Sequence, residues 1–181
     1  MDSFSVRVIS DRRKKGHMKL KNPKYNLKNY ISILFMSNKF ILLFKISEEY
    51  PICPGDWELF TFSFETLKEM GINGKIIKTK DISKITMQFL ARMKNNLKLS
   101  NDLVKQVTPI INPFIWDDHE FKITYKIYPV LVVVSQKFFP DISKIKKFTE
   151  SKWIELDKVW QYDRNNYLYT FLAHIEKYTG L

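Results

Sequence analysis

Residues 40–59 read FILLFKISEEYPICPGDWEL, and the rest of the chain can be arranged around this stretch. Its first part is almost entirely apolar as far as Ile46, which is typical of a buried strand. Two prolines and Gly55 then predict a loop over residues 47–56. From Trp57 to Phe64 the residues WELFTFSF alternate between two faces, and this period predicts another strand.

The upstream segment supplies a partner for the first of these strands. Residues 30–36 (YISILFM) and 39–46 (KFILLFKI) are apolar runs separated by Ser37 and Asn38, which predicts a hairpin with a two-residue turn. Residues 3–10 (SFSVRVIS) alternate enough to predict a further short strand.

Downstream, residues 83–102 (SKITMQFLARMKNNLKLSND) predict a helix, with Asp81 as its N-cap. Apolar residues recur every three or four positions, a spacing that predicts a core-facing stripe: Ile82, Ile85, Phe89, Met93 and Leu97. The opposite face is basic and rich in amides, and the chain has no Asp or Glu from Ile82 to Asn101.

The remaining segments predict a strand broken by two prolines and then a loop over 103–116, and a long strand or hairpin arm over 119–135. A basic connector over 137–151, a short strand with a helical turn over 152–160 and a helix over 164–180 follow. The resulting fold class is α+β, with a mixed β-sheet flanked by helices. A length of 181 residues suits one well-packed domain.

The composition limits the function classes. None of the five glycines lies in a phosphate-binding G-x-G or G-x-x-x-x-G-K pattern. The single cysteine excludes an internal disulfide and favours a reducing compartment. With no apolar run of membrane-spanning length and no signal peptide, we expect a soluble intracellular protein with no membrane partner. Cytoplasmic, organellar and viral settings all stay open. The net charge of +11 favours a polyanionic partner, most simply RNA.

Much of the positive charge lies in one segment, residues 11–29, which we call the basic arm. It has too few apolar residues for a core element, and we predict that it contacts phosphates through Arg12, Arg13, Lys14, Lys15, Lys19, Lys21, Lys24 and Lys28. The predicted domain organisation is an N-terminal strand and basic arm over 1–28, followed by a domain over 29–181.

The order of elements resembles the Nudix fold over about residues 29–178, and two stretches carry most of the likeness. The first is residues 40–59, where a strand leads through a loop into Pro-Gly-x-Trp-Glu. The second is ESKWIELDKVWQYDRNNYLYTFLAHI, residues 150–175, in which a Trp-containing segment precedes the last helix. The resemblance implies a Nudix-like α/β/α sandwich.

Nudix catalysis needs the box G-x5-E-x7-R-E-U-x-E-E-x-G-U, whose carboxylates hold Mg²⁺ or Mn²⁺ on a diphosphate, because hard cations prefer oxygen ligands. Aligned by its apolar positions, the box falls between Ile77 and Leu99. The catalytic positions then become Ile77, Ser83, Ala91, Arg92, Asn95, Asn96 and Lys98, while only the apolar positions Met93 and Leu99 are kept. The resemblance therefore implies a pseudo-enzyme with no catalytic residue, no metal site and no cofactor.

These observations predict a non-catalytic RNA-binding or scaffolding subunit of a nucleoprotein assembly, with protein partners and with Arg92 as a further RNA contact. Nudix relatives that lack the box act in this way in mRNA 3′-end processing and in mitochondrial large ribosomal subunits. Two alternatives stay open. One is an active nucleotide or cap pyrophosphohydrolase with relocated acids, drawn from Glu48, Glu49, Glu65, Glu69, Asp117 and Asp118. The other is a pure protein-interaction subunit, which would show no salt-dependent affinity for RNA.

Three smaller features have both a functional and a structural interpretation. Trp57, Phe60, Phe62 and Phe64 are able to stack on bases, although their alternation favours a core. Residues 116–120 (WDDHE) are able to bind a cation, but a solvated turn explains them as well. Cys53 would need a neighbouring base and a positive environment to act as a nucleophile.

Overall fold

The computed structural model describes residues 6–7, 25–72, 79–110, 112–119, 122–164 and 166–179. Within these ranges nine strands form one mixed sheet: β1 Val6–Arg7, β2 Asn26–Ser37, β3 Phe40–Ile46, β4 Trp57–Glu58, β5 Phe60–Ser63, β6 Val104–Pro109, β7 Phe114–Asp118, β8 Ile123–Val134 and β9 Phe148–Glu155. The helices are α1 Phe64–Glu69, α2 Thr79–Leu97 and α3 Tyr167–Thr179, with 3₁₀ turns at Asn101–Leu103, Ile142–Lys144 and Leu156–Gln161.

The centre of the sheet is the parallel pair β2 and β8, in register from Asn26 with Ile123 to Met36 with Val133. The middle of β2, from Ile31 to Phe35, and the second half of β8, from Ile127 to Val132, are buried at every residue, as expected for parallel strands covered on both faces. The other edge of β8 pairs with β7 along its first half and with β6 along its second half.

β2 and β3 separate after the hairpin and open the sheet. They pair directly only at Met36–Ser37 with Phe40–Ile41. Further along, β4 pairs with β3 while β5 pairs with β2, so these two short strands fill the widening gap. β9 covers the outer edge of β3.

Each face of the sheet packs against one long helix. α2 packs on the face that presents Ile31, Phe44 and Phe60, and α3 packs on the face that presents Leu34, Leu43 and Leu131. The predicted mixed sheet flanked by helices is therefore confirmed. None of the described helices is long and apolar enough to cross a membrane.

Local boundaries differ from the sequence predictions in several places. The helix predicted to 102 ends at Leu97, and a second strand, β7, begins at Phe114 where a loop was predicted. The hairpin turn consists of Asn38 and Lys39, because Ser37 still pairs with Phe40 and Asn38 adopts the left-handed conformation (φ 51°) that asparagine tolerates. α2 begins at Thr79, so Asp81 lies in its first turn. The strand predicted over 57–64 is interrupted at Leu59, since its halves pair with different neighbours.

A further difference concerns Lys28, which sequence analysis placed in the basic arm. It is half-buried in β2, in register with Tyr125 of β8. The boundary between arm and domain stays a prediction, as most of residues 1–28 lie outside the described ranges.

Candidate functional site

α2 packs as its apolar stripe predicts. Phe89 is 2% exposed, and its ring stacks on Phe62 with 3.7 Å between the ring centroids. The opposite side of the helix is exposed and carries Lys84, Arg92, Lys94 and Asn95, followed by Lys98. Phe60 and Phe62 are buried in the same core, so they are not available to stack on bases.

The C-terminal end of α2 is where the resemblance places the metal-binding carboxylates. Asn95 is exposed there, and the Asn96 side-chain amide donates to Met93 Sδ at 3.9 Å. The next residue but one, Lys98, has a φ of 50°, the left-handed conformation that glycine adopts most readily at a helix C-terminus. Lys98 is also the position that the alignment gives to the last glycine of the box.

These residues do not fit a divalent metal. The one acid in α2 is Asp81, at the opposite end of the helix from Asn95 and Asn96. Across the part of the chain that the structure describes, no three side chains of His, Cys, Asp or Glu are grouped so as to hold a metal ion. Mg²⁺ and Mn²⁺ need several oxygen ligands, usually with carboxylate charge, and neutral amides are weak substitutes.

The six acids considered as relocated ligands are spread over the molecule. Glu48, Glu49, Glu65 and Glu69 are exposed at the surface. Asp117 is buried and accepts a hydrogen bond from Thr124 Oγ1 at 2.6 Å, which gives it a structural role. Asp118, on the other face of β7, lines a cleft.

This cleft lies on the α3 side of the sheet, between the 47–56 loop and the start of α3. Its walls are rich in aromatic side chains: Tyr30, Tyr50, Trp57, Trp116, Tyr125 and Tyr167. No described residue of α2 lines it. Its cavity volume is about 90 Å³, several times the ~10–15 Å³ that a single water molecule needs.

Charged side chains form the polar part of the cleft. Lys147 makes an ion pair with Glu58, and both side chains are largely buried. Arg164 Nη1 donates to Asp56 Oδ1 at 3.3 Å across the mouth. Asp163 caps α3, because its carboxylate accepts the backbone N–H groups of Leu168 and Tyr169 at 3.0 and 2.7 Å.

Burial changes the acid–base behaviour of this cleft. It raises the pKa of Glu58, and the ammonium of Lys147 opposes that shift. Burial, reinforced by the charges of Asp56 and Asp118, raises the pKa of Cys53 to about 12. The thiol is therefore protonated at neutral pH, and Cys53 is not an activated nucleophile.

Most of the residues predicted to contact RNA lie outside the part of the chain that the structure describes. Arg12, Arg13, Lys14, Lys15, Lys19, Lys21 and Lys24 lie outside the described residues. Lys28 lies in β2, and Arg92 is exposed on α2 with its guanidinium donating to the carbonyl oxygen of Met70. Their role in binding stays a prediction.

Sequence reasoning missed the cleft because its residues come from separate elements. Lys147 lies in the basic connector, while Asp163 and Tyr167 lie in the stretch around the start of α3. The one available signal was the likeness carried by residues 40–59 and 150–175, which together contain most of its lining.

Comparisons with known proteins add one finding. Neither protein-family models nor curated proteins give a match. Among solved structures, a Nudix hydrolase from Nitrosomonas europaea is similar, with a TM-score of 0.52 at 12% identity over 86% of this chain and 90% of that one. The chain has the Nudix fold.

A second structure with this fold is a bifunctional NMN adenylyltransferase/ADP-ribose pyrophosphatase from Francisella tularensis. Its TM-score is 0.54 at 14% identity, over 87% of this chain and 44% of that chain, so this chain spans less than half of that protein. At such identities the likeness concerns the Nudix fold alone.

Proposed function

We propose that this protein uses the Nudix fold to bind RNA within a nucleoprotein assembly, without metal-dependent hydrolysis. The observation that carries the proposal is the C-terminal end of α2. Asn95 and Asn96 occupy the positions that the resemblance assigns to the metal-binding carboxylates, and no cluster of acids among the described residues replaces them.

Two features of α2 support the alignment of the box. The two apolar positions of the box fall on Met93, which packs against the core, and on Leu99, which is 4% exposed. Lys98 adopts a left-handed φ of 50° at the position of the last glycine. A change of register would lose both agreements, because neighbouring residues differ in burial and in φ.

Charge supports a polyanionic partner. The solvent-facing side of α2 presents Lys84, Arg92, Lys94 and Lys98 without an acid between them. The basic arm contributes further cations. Lysine and arginine neutralise phosphates and release bound counterions, so RNA affinity should fall as salt rises.

An apolar groove beside α3 supports the protein-partner part of the proposal. It is lined by Leu156, Val159 and Leu172, and the exposed side chain of Tyr169 borders it. Trp160, next to Val159, is 68% exposed. Exposed aromatic side chains beside apolar surface are typical of protein contacts.

The test is fluorescence anisotropy of a labelled single-stranded RNA across a salt series. Each phosphate contact adds about 0.7 to the salt slope of a single strand. Replacing Arg12, Arg13, Lys14 and Lys15 by Ala should therefore flatten the slope by roughly two to three units. We expect little sequence preference, because the arm contacts phosphates and not bases.

The matched control replaces the same number of exposed lysines elsewhere: Lys105, Lys122, Lys146 and Lys152. It lowers the net charge equally and should flatten the slope less than the arm variant does. An unchanged slope in the arm variant would exclude the arm as the RNA contact. If the parent protein binds no RNA at any salt concentration, the pure protein-interaction alternative replaces the proposal.

A further inference from the structure

Phe139 is the most exposed large apolar side chain in the part of the chain that the structure describes, at 72%. It lies in the connector between β8 and β9, within Lys-Phe-Phe-Pro at residues 137–140. Single apolar side chains are common on protein surfaces, so exposure alone assigns no function to it. Phe139 differs from such residues in two respects, a fixed backbone and a set of neighbouring lysines.

The backbone is anchored immediately before and after Phe139. The ring of Phe138 is 4% exposed and packs edge-on against Phe35 and Trp153, with centroid distances of 5.2 and 5.6 Å. The Trp153 indole N–H donates to the carbonyl oxygen of Phe138 at 2.7 Å. Pro140 follows and restricts Phe139 to extended conformations. A ligand that contacts the exposed ring therefore has little backbone freedom to remove.

The same segment is bonded to the last turn of α2. The backbone N–H of Asp141 donates to the carbonyl oxygen of Asn96 at 2.7 Å. A hydrogen bond from Ser143 lowers the pKa of Asp141, and the charge of Lys98 contributes to that shift, so Lys98 is also near. Consecutive Cα atoms are about 3.8 Å apart, which places Phe139 within about 8 Å of Asp141 along the backbone. Phe139 is thus a neighbour of the basic end of α2.

Lysines lie near Phe139 both along the chain and across the contact with α2. Lys94 and Lys98 are exposed at the C-terminal end of α2, and Lys137 is exposed two residues before Phe139. Asp141, the acid of this segment, makes an ion pair with a lysine of the adjacent 3₁₀ turn, which balances its charge. Such a surface attracts phosphates.

An exposed aromatic ring beside lysines matches the chemistry of a single-stranded nucleic acid. The bases of a single strand offer their faces to aromatic side chains, while its phosphates contact cations. In a duplex the bases are paired and stacked on one another, so phosphates are the main groups available to a lysine surface. An acidic peptide would use the lysines but has no planar base for the ring.

We propose that Phe139 stacks on a base of single-stranded RNA. The phosphates beside that base contact the lysines of the same surface, Lys94, Lys98 and Lys137. This inference rests on the proposed RNA binding and adds to it a base-stacking site and a preference for single strands. The basic arm supplies affinity for any phosphate backbone, whereas Phe139 distinguishes a single strand from a duplex.

The test measures affinity for a labelled single-stranded RNA and for a duplex of the same sequence by fluorescence anisotropy. Phe139→Ala should lower the affinity for the single strand about tenfold, within the range of one stacked base, and leave that for the duplex unchanged. The salt slope should stay the same, because no charge is removed. An unchanged affinity for the single strand, or an equal loss for both RNAs, would overturn the inference.

Conservative variants separate stacking from apolar contact. Phe139→Trp keeps a flat ring and should bind the single strand at least as tightly as the parent. Phe139→Leu keeps an apolar side chain without a ring and should lose most of the affinity that Phe139→Ala loses. Equal binding by Phe139→Leu and the parent would contradict stacking. Circular dichroism checks the fold of each variant, and the exposure of Phe139 makes these changes easy to tolerate.

Two controls identify the surface. Trp160→Ala removes an aromatic side chain that is 68% exposed beside the apolar groove near α3, and it should leave both RNA affinities unchanged. Replacing Lys94 and Lys137 together by Ala should flatten the single-strand salt slope by about 1.4 units, since each phosphate contact contributes about 0.7. A slope unchanged by the lysine pair would contradict the placement of the phosphates.

A polyglutamate peptide provides the alternative occupant, negative charge without bases. Parent and Phe139→Ala should bind it equally and weakly; tighter binding of this peptide than of the single strand would favour an acidic protein segment and overturn the inference. RNA binding that depends on the basic arm but not on Phe139 would also overturn it and leave the proposed function intact. Absence of RNA binding by the parent would instead contradict the proposed function itself.

Discussion

Phe89 and Asn95 lie on the same helix but have opposite surroundings. Phe89 is 2% exposed and contacts Phe60 and Phe62, whereas Asn95 is exposed. The side chains that attach α2 to the sheet are apolar and buried, while the positions that the resemblance assigns to metal ligands carry neutral amides. On this helix, the residues that pack against the sheet are therefore different from those that would bind a ligand.

Phe89→Ala should lower the free energy of unfolding by roughly 3–5 kcal/mol, because it removes a buried ring and leaves a cavity. Asn95→Ala, at an exposed helical position, should change it by less than about 0.5 kcal/mol. Equilibrium urea unfolding measures both. If the two variants were equally unstable, the register of α2 and the alignment of the box would both be wrong.

Lys98 offers a second residue-scale prediction. Its φ of 50° is strained for a residue with a Cβ, so Lys98→Gly should stabilise the protein by about 0.5–1 kcal/mol. Lys94→Gly, within the helix and exposed, should destabilise it by about 1 kcal/mol. The thermal unfolding midpoints should therefore move in opposite directions. A destabilising Lys98→Gly would show that the left-handed position is not a source of strain.

The sequence predicts best the helices and strands whose apolar residues recur with a regular period. The stripe from Ile82 to Leu97 and the alternation of residues 57–64 both predict the correct faces, since each pattern depends only on neighbours along the chain. The interruption at Leu59 could not be predicted in this way. The interruption arises because β2 and β3 separate, so that the first half of the segment pairs with β3 and the second half with β2. This separation is a property of the whole sheet.

The candidate cleft shows the same limit more strongly. Trp116 and Asp118 share a face of β7, and this much follows from the alternation of a strand. Their proximity to Lys147 and Tyr167 depends on how β9 and α3 return to the sheet. Nothing in the local sequence encodes those distances, so the cleft became visible only in the folded chain.

Two ion pairs of Glu155 join three parts of the chain and give a further prediction. Glu155, at the end of β9, bonds Lys158 in the next 3₁₀ turn at 2.7 Å and Lys39 in the hairpin turn at 2.9 Å. Hydrogen bonds from Lys158 and then Lys39 lower the pKa of Glu155 to about 2. For a carboxyl with a lowered pKa, the stabilisation is present above the usual pKa and is lost as pH falls towards the lowered value.

Glu155→Gln should therefore have a lower free energy of unfolding than the parent at neutral pH. This difference in free energy should become smaller as the pH approaches about 2. Urea midpoints measured across that range test the expectation. Glu150→Gln, an exposed acid on the same strand, is the control for loss of one carboxylate. If the difference in stability between Glu155→Gln and the parent stays constant with pH, the charge of Glu155 does not stabilise the fold.

At the scale of the whole molecule, the two faces of the sheet have different properties. α2 presents a basic surface on one side, and on the other the cleft beside α3 carries an excess of carboxylates. The central proposal is that this chain has the fold without the capacity to hold Mg²⁺ or Mn²⁺.

Electron paramagnetic resonance of Mn²⁺ tests this claim most directly, since it needs no choice of substrate. The spectrum of free Mn²⁺ should persist at full intensity when protein is added in excess at sub-millimolar concentration, because no described group of carboxylates can bind the ion. Stoichiometric loss of that signal, restored by Asp118→Asn or by Glu65→Gln and Glu69→Gln, would contradict the account and support a hydrolase with relocated ligands.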